Sequence, residues 1–493
     1  MGHAEGLYSV EQVRAFDAHA LSVQGIPGIT LMTRAGEAAL RVLRARWPAV
    51  RRIAIVCGAG NNGGDGYVLG ERARAAGLDA TVLALVDPAT LHGDARQAAD
   101  RYQATAGRLL PFSAAALGGA ELLVDALLGT GLREPPRASF AAAIEAMNAS
   151  GLPILALDLP SGLDGDTGRA PGAVVHAAAT VTFVGRKQGL YLADGPDYCG
   201  RIYFSDLDVK PPTGAASTPM LELLAPDEIA RTLPPRSRAA HKGDFGRVLI
   251  IGGGPGMAGA ARLAGTAALR CGAGIVMVAT APENVAPIVA GRPELIVQAV
   301  RGAEDLAPLL AMANVVAVGP GLGTGAWSRT MLDAALAGVE PLVIDADALN
   351  LLAAGDQSPP PLSVLTPHPG EAARLLRTKT SSLQSDRGAA LARLVEQTGA
   401  VVVLKGAGTL VGAPGRTPAI CADGNPGMAA PGMGDVLTGA IAAMLAQCGV
   451  PWLAARAGVL AHALAGDEVA RHGGGRGMLA LEVADALRPR VNP

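Results

Sequence analysis

The sequence predicts an α/β protein of two three-layer domains, each a parallel sheet covered by helices on both faces. Three observations carry this expectation. The chain has 493 residues, more than one core holds, since single cores stop growing near ~250 residues. Half of the residues are hydrophobic, yet only 3% are aromatic and 65 are glycine, so the cores are built from Ala, Val, Leu and Ile, with glycine at many turns. Short β-branched runs alternate with stretches long enough for helices, and one proline-rich seam interrupts them.

The first series of strands reads IAIVC (53–57), ATVLALV (80–86), ELLVDALL (121–128), PILALDLP (153–160) and TVTFVG (180–185). Near-continuous apolar runs of this kind mark strands buried on both faces. The rhythm stops at KPPTGAASTP (210–219), a composition with little to pack. A first domain is therefore expected over 1–215, a linker over 216–224 and a second domain over 225–493. The second series reads RVLIIGG (247–253), GIVMVAT (274–280), NVVAVGPG (314–321), PLVIDA (341–346), LSVLTPH (362–368) and AVVVLKG (400–406), and two Ala-rich helical segments close the chain.

Composition also excludes several classes. A mean hydropathy of +0.31 raises the question of a membrane span, but the long uncharged stretches 306–328 and 436–455 are broken by Pro308, Asn314 and Pro320 and by Gln447, Gly449 and Pro451. No membrane association is expected, and the first residues show no targeting segment. Five cysteines, widely spaced and never in CxxC, point to reduced thiols and a cytoplasmic protein. Eight histidines without HExxH or HxxxH make a dedicated zinc site unexpected. A net charge of −2 gives no electrostatic case for nucleic acid, and the group Arg41, Arg44, Arg46, Arg51 and Arg52 reads as a solvated helix end. Low charge and an apolar N-terminal helix lead us to expect a homo-oligomer.

In the first domain, GAGNNGGDG (58–66) follows a strand and opens a helix. Free backbone N–H groups at a helix N-terminus attract anions, phosphate above all. The departure from GxGxxG matters, because two asparagines and an aspartate add oxygens suited to a hard cation or to ribose hydroxyls. VDALLGTGL (124–132) and LDLPSGLD (157–164) also end strands with an acid and a glycine-bearing turn. Consecutive strand ends of a parallel sheet share one edge, so Asn62, Asp125, Asp158 and Ser161 are expected to converge.

NNGGDG, VDALLGTG and DLPSGLDGDTG, preceded by GIPGITLMTRAG (25–36), resemble the NAD(P)H-hydrate epimerase domain, the YjeF N-terminal type, over roughly residues 8–210. The resemblance implies a Rossmann-like sheet and a bound potassium ion (K+) with Asn62, Asp125 and Ser161 as ligands. It implies contacts to the hydrated nucleotide from Asn61, Asn62, Gly63, Gly64, Asp65, Gly129, Thr130, Gly131, Leu132, Arg133, Glu134, Pro135 and Asp158. Inverting the hydroxyl-bearing C6 through an iminium or by ring opening needs a proton donor and acceptor, and Asp158 is the candidate.

In the second domain the sharpest motif is GNPGMAAPGMGDVLTG (424–439). Gly-x-Gly-Asp entering a helix offers N–H groups to a phosphoryl anion, with a carboxylate beside them to accept a hydroxyl proton. KGAGT (405–409) brings a cation and flexible backbone, TPHPGE (366–371) a histidine between prolines, and GPGLG (319–323) and GGGPGMAGA (252–260) further glycine loops. DADALN (345–350) adds two acids. From HKGDFG (241–246) onward these motifs resemble the NAD(P)H-hydrate dehydratase family, which is ribokinase-like.

The resemblance implies nucleotide contacts from Lys405, Gly406, Ala407, Gly408, Thr409 and Gly434. It places the hydrate against Ala260, Gly321, Gly323, His368 and Asp435. ADP or ATP would be the co-substrate, carrying Mg2+, and Asp435 the base. Ala430-Pro431 stands where the family pattern has Thr-Gly, which puts the flexibility of that loop in question. The two resemblances imply a bifunctional repair enzyme that epimerises R- and S-hydrates of NADH and NADPH (NADHX, NADPHX) and dehydrates the S form. The alternative is a ribokinase-like small-molecule kinase, of the hydroxymethylpyrimidine or thiazole type, behind a non-catalytic nucleotide-binding domain.

Overall fold

The computed structural model describes residues 5–130, 134–338 and 340–492. The chain divides into two compact units, Met1–Leu221 and Glu222–Pro493. Between 216 and 224, Glu222 and Leu223 pair with Ala419 and Ile420, so a short strand of the second unit begins inside the segment read as linker.

The first unit is built on strands β1 (Arg52–Cys57), β2 (Asp79–Ala84), β3 (Arg108–Pro111), β4 (Leu122–Ala126), β5 (Ile154–Leu157), β6 (Ala179–Phe183) and β7 (Arg201–Ser205). They pair in parallel in the order β3-β2-β1-β4-β5-β6-β7. Side chains alternate across a strand. Ile53, Ile55 and Cys57 therefore pack with the helices Gly28–Arg46, Asn61–Ala75 and Gly93–Ala104 on one face. Ala54 and Val56 meet the helix Ala138–Ala149 on the other. The order reverses between β1 and β4, which opens a crevice at their carboxyl ends. The sequence reading had no strands at β3 and β7, the two edges. Each is four or five residues long and only partly buried, so neither shows a continuous apolar run.

The second unit contains β8 (Leu221–Leu223), β9 (Arg247–Ile251), β10 (Ile275–Thr280), β11 (Ile296–Ala299), β12 (Val315–Val318), β13 (Leu342–Ile344), β14 (Val364–Leu365), β15 (Val401–Leu404), β16 (Thr409–Gly412) and β17 (Ala419–Cys421). Their order is β11-β10-β9-β12-β13-β14-β15-β16-β17-β8. Pairs are parallel except β15 with β16 and β16 with β17. Val248 and Ile250 face a core shared with the helices Ala258–Arg270, Met433–Cys448 and Pro451–Gly473. Leu249 and Ile251, pointing the other way, are also fully buried. Three helices close the chain rather than two, the last being Ala480–Arg490.

Helices Met433–Cys448 and Ala258–Arg270 touch backbone to backbone at Gly439. A Cβ there would fall 2.0 Å from the Ala264 carbonyl oxygen. The first of these helices carries the Gly-Met-Gly-Asp motif, so this contact seats the second domain's site. Gly439→Ala should lower stability by about 2–3 kcal/mol, the upper range for overpacking, read as a lowered denaturation midpoint.

Candidate functional sites

In the first unit, the crevice at the β1–β4 switch point is a cavity of about 570 Å³. Gly60, Asn61, Asn62, Asp65, Gly129, Thr130 and Asp158 all line it. Gly60 caps the helix Asn61–Ala75 with no side-chain bond, so the amides of its first turn face the cavity mouth. A Cβ on Gly63 would strike the Gly58 carbonyl at 2.2 Å, which explains a glycine in the tight turn. Thr130 is held by its carbonyl, which accepts from Arg14 at 2.9 Å. Glu134 and Pro135 are exposed, and Gly131, Leu132 and Arg133 lie outside the described residues.

Asp125 is buried at the end of β4. Its carboxylate accepts from the Ser161 amide at 2.7 Å, the Ser161 hydroxyl at 2.6 Å and the Leu127 amide at 3.2 Å. Burial nevertheless raises its pKa to about 6, against the lowering effect of these bonds. Ser161 Oγ also accepts from the Leu128 amide at 2.8 Å. Asn62 donates to the Leu128 carbonyl at 3.0 Å, while its buried Oδ1 meets no donor. Asn62, Asp125 and Ser161 thus gather around the Leu128 turn. The orphaned amide oxygen, with hydroxyl, carboxylate and carbonyl oxygens nearby, is an oxygen-only donor set that fits an alkali cation.

Asp158 follows β5 at φ +66°, a left-handed conformation that costs an L residue about 1–3 kcal/mol and is retained where the surroundings over-determine it. Its Oδ1 is gripped by Lys187, 2% exposed, whose ammonium also donates to Phe183 carbonyl at 2.9 Å and Thr182 hydroxyl at 3.3 Å. With three donors spent, Lys187 orients Asp158. Asp158 Oδ2 and the Asn62 side chain both come within 4 Å of where a Gly129 Cβ would stand, so the two motifs meet. Lys187, Arg14 and Asp17 escaped the sequence reading. Lys187 lies 29 residues from Asp158, a separation that leaves no local signal.

In the second unit, Gly432 caps the helix Met433–Cys448 at φ +87°, and its Cβ would lie 2.6 Å from Leu263. Val436 makes the first intrahelical bond, to the Gly432 carbonyl at 3.1 Å, leaving the amides of Met433, Gly434 and Asp435 at the open end. A Cβ on Gly434 would stand 3.2 Å from Lys405 Nζ and 3.7 Å from Asp345 Oδ2. Lys405 donates to Asp345 at 2.7 Å and sits 3.8 Å from Glu371, while Thr438 donates to Asp345 at 2.7 Å. Burial would raise Asp345, but Lys405 and the hydrogen bonds outweigh it and hold the carboxyl below its ordinary value. Asp435 has no such partner. Burial, then Asp345, push it to about 7.

Ala260, Gly321 and Gly323 form a second cluster. A Cβ on Gly321 would be 2.9 Å from Ala260 Cβ, and the Gly323 amide donates to Asp347 at 2.8 Å. Gly406, Ala407, Gly408 and Thr409 form the turn between β15 and β16. Arg387 clamps it by donating to the Leu404 carbonyl at 3.1 Å and to that of Ala407. His368 is exposed and works as a helix cap: its Nδ1 accepts from the Gly370 amide at 2.9 Å, and Nε2 lies 3.2 Å from Glu371. His462 and Arg387 were missed in the sequence, and Thr438 stood in the 424–439 motif without a role. His462 is buried with Nε2 unpartnered, and burial, helped by Lys405, drops its pKa to about 4.

Two family models match the chain: YjeF-related protein N-terminus over residues 28–189, and NAD(P)H-hydrate dehydratase over 248–489. The chain is 45% identical to a bifunctional NAD(P)H-hydrate repair enzyme of Coxiella burnetii, covering 99% of both sequences. It is 42% identical to that of Escherichia coli, covering 99% of this chain and 94% of the relative. Among solved structures, an ADP/ATP-dependent NAD(P)H-hydrate dehydratase from Bacillus subtilis, co-crystallized with ATP/Mg2+, is 30% identical with a TM-score of 0.50, covering 55% of this chain and 97% of that one. A ribokinase-like superfamily protein from Enterococcus faecalis is 32% identical with a TM-score of 0.51, covering 55% of this chain and 96% of its own. The second unit is thus ribokinase-like, as expected. With likeness running over the whole length of both partners, the chain belongs to the family of bifunctional NAD(P)H-hydrate repair enzymes.

Proposed function

We propose that residues 1–215 interconvert the R- and S-hydrates of NADH and NADPH, and that residues 225–493 dehydrate the S-hydrate at the expense of ADP or ATP. The observation that carries this is two acid-bearing sites at strand ends in one chain. One is a cavity built around Asp158, and the other an open helix end beside Asp435. Hydroxide is a poor leaving group and phosphate a good one. Asp435 takes the proton of the C6 hydroxyl as its oxygen attacks the terminal phosphorus of the nucleotide, the bridging P–O bond breaks to release AMP from ADP or ADP from ATP, and the amides of Met433, Gly434 and Asp435 hold the transferring group. Loss of phosphate from C6, pushed by the ring nitrogen lone pair, and of a proton from C5 to solvent then restores the dihydropyridine ring. Lys405 through Thr409 would hold the nucleotide, with Ala260, Gly321, Gly323 and His368 toward the hydrate.

In the first domain, Asn61–Asp65 would hold the substrate phosphates, Gly129–Pro135 would contact the hydrated nucleotide, and Asp158 would move a proton at the C6 oxygen. Asn62, Asp125 and Ser161 would hold potassium, which supplies positive charge beside those phosphates. Potassium chloride, against sodium chloride at equal ionic strength, should raise the melting temperature of the protein, and Asn62→Ala should remove the difference. Equal melting in both salts counts against the site. Magnesium would arrive on the nucleotide phosphates. Five free cysteines support a cytoplasmic setting. Leu21 and Val23, 47% and 69% exposed at the end of the helix Val10–Ser22, support a homo-oligomer.

The test is incubation with mixed hydrates and ADP or ATP. Recovery of reduced-nicotinamide absorbance supports the reading. A stable phosphorylated product without recovery indicates a small-molecule kinase.

A further inference from the structure

The epimerase cavity holds more acid than its role in binding phosphates explains. Asp17 projects from the helix Val10–Ser22 and lines the cavity with Asp65, Asp158 and Lys187. All three donors of Lys187 go to Asp158, Thr182 and Phe183. Neither Asp17 nor Asp65 meets a hydrogen-bond donor among the described residues. Four carboxyls, Asp17, Asp65, Asp94 and Asp158, share this half-buried cavity with two cations, Arg14 and Lys187, and cannot all stay ionised, because the uncompensated charge is costly. At least one holds a proton.

We propose, on the epimerase reading above, that Asp17 is a catalytic residue of the first domain, the general acid that works against Asp158. The Asp17 carboxyl gives its proton to the C6 hydroxyl oxygen. The C6–O bond breaks with its electron pair leaving on water, and the ring nitrogen lone pair forms the C6=N bond. Water returns to the other face of C6, the C=N pair goes back to nitrogen, and the proton released by that water passes to Asp158. Solvent in the cavity returns the proton between turnovers. The opposite conversion runs the same steps with the two acids exchanged.

The environment suits the role. Burial, with Lys187 opposing and Asp158 adding, raises Asp17 to about 6, while burial drives Asp65 well above its ordinary value. A proton donor works best with a pKa near the ambient pH, and Asp17 meets that condition on the cavity wall. Arg14 on the same helix and Asp94 on the helix Gly93–Ala104 are the other charged groups of the cavity wall.

The test uses the full chain and purified R-hydrate, with R and S forms separated by chromatography. Asp17→Asn should lower kcat for epimerisation about 100-fold with little change in KM. The unmodified protein should lose rate as pH rises through about 6, because the acid must be protonated, and Asp17→Asn should lack that limb. Asp17→Glu should restore part of the rate. Thermal unfolding of each variant identifies any that fail to fold, and the Asp17→Glu comparison then decides. Native kcat with an unchanged pH profile in Asp17→Asn overturns the proposal while leaving the epimerase reading intact. An unmodified protein that never consumes R-hydrate, although it dehydrates S-hydrate, overturns that reading and the proposal with it.

Discussion

Asp435→Asn should reduce S-hydrate dehydration by about 10³–10⁴-fold while leaving R-to-S conversion at its native rate. The carboxylate stands beside three free amides, where a phosphoryl group and an attacking hydroxyl would meet. An amide of the same shape keeps the helix end but accepts no proton. The neighbouring acid favours Asp435 over Asp345 as the proposed base. Asp345 is saturated by Lys405 and Thr438 and held in its charged form, a poor proton acceptor. Asp435, raised to about 7 by burial and by Asp345, matches a base working near neutrality. A base must be ionised to act, so kcat/KM for dehydration should climb as pH rises through about 7 and fall away below it. A flat profile from pH 5 to 9 would remove Asp435 from that role.

Asp158→Asn should have a loss of similar size on the other activity, with dehydration of S-hydrate intact. Oδ1 is committed to Lys187, leaving Oδ2 toward the cavity. The substitution also removes the carboxylate that accepts from the buried Lys187 ammonium, which costs about 3–5 kcal/mol. The double variant Asp158→Asn, Lys187→Gln removes both charges and should recover much of that stability while staying inactive. Epimerisation at the native rate in the double variant would show that the pair is structural.

Much of this was legible in the sequence where a motif is local. Asn61–Asp65 and Gly432–Asp435 each sit where a strand or loop enters a helix, and there the chemistry of the turn is written in consecutive residues. Asn62, Asp125, Asp158 and Ser161 were placed together because parallel strands end on one edge; Ser161 bonds Asp125, and Asn62 and Ser161 both bond the Leu128 backbone. His368 was singled out as a hydrate contact, and the structure shows it capping the helix Pro369–Leu375. Lys187, Asp17, Arg387 and His462 were not legible, because each is brought to its site by packing that no local pattern encodes. The short strands Arg108–Pro111 and Ala419–Cys421 were missed for a related reason. Three or four residues beside prolines or glycines look like turns until a neighbouring strand pairs with them.

The most direct measurement of the central claim, two independent sites in one chain, is a time course with mixed R- and S-hydrates and ADP or ATP for three proteins: unmodified, Asp158→Asn and Asp435→Asn. The unmodified protein should consume both epimers, Asp158→Asn should consume S and leave R, and Asp435→Asn should equilibrate the two and consume neither. If either variant blocks both steps, or if the two variants fail on the same step, the chain does not hold two separate sites with these acids at their centres.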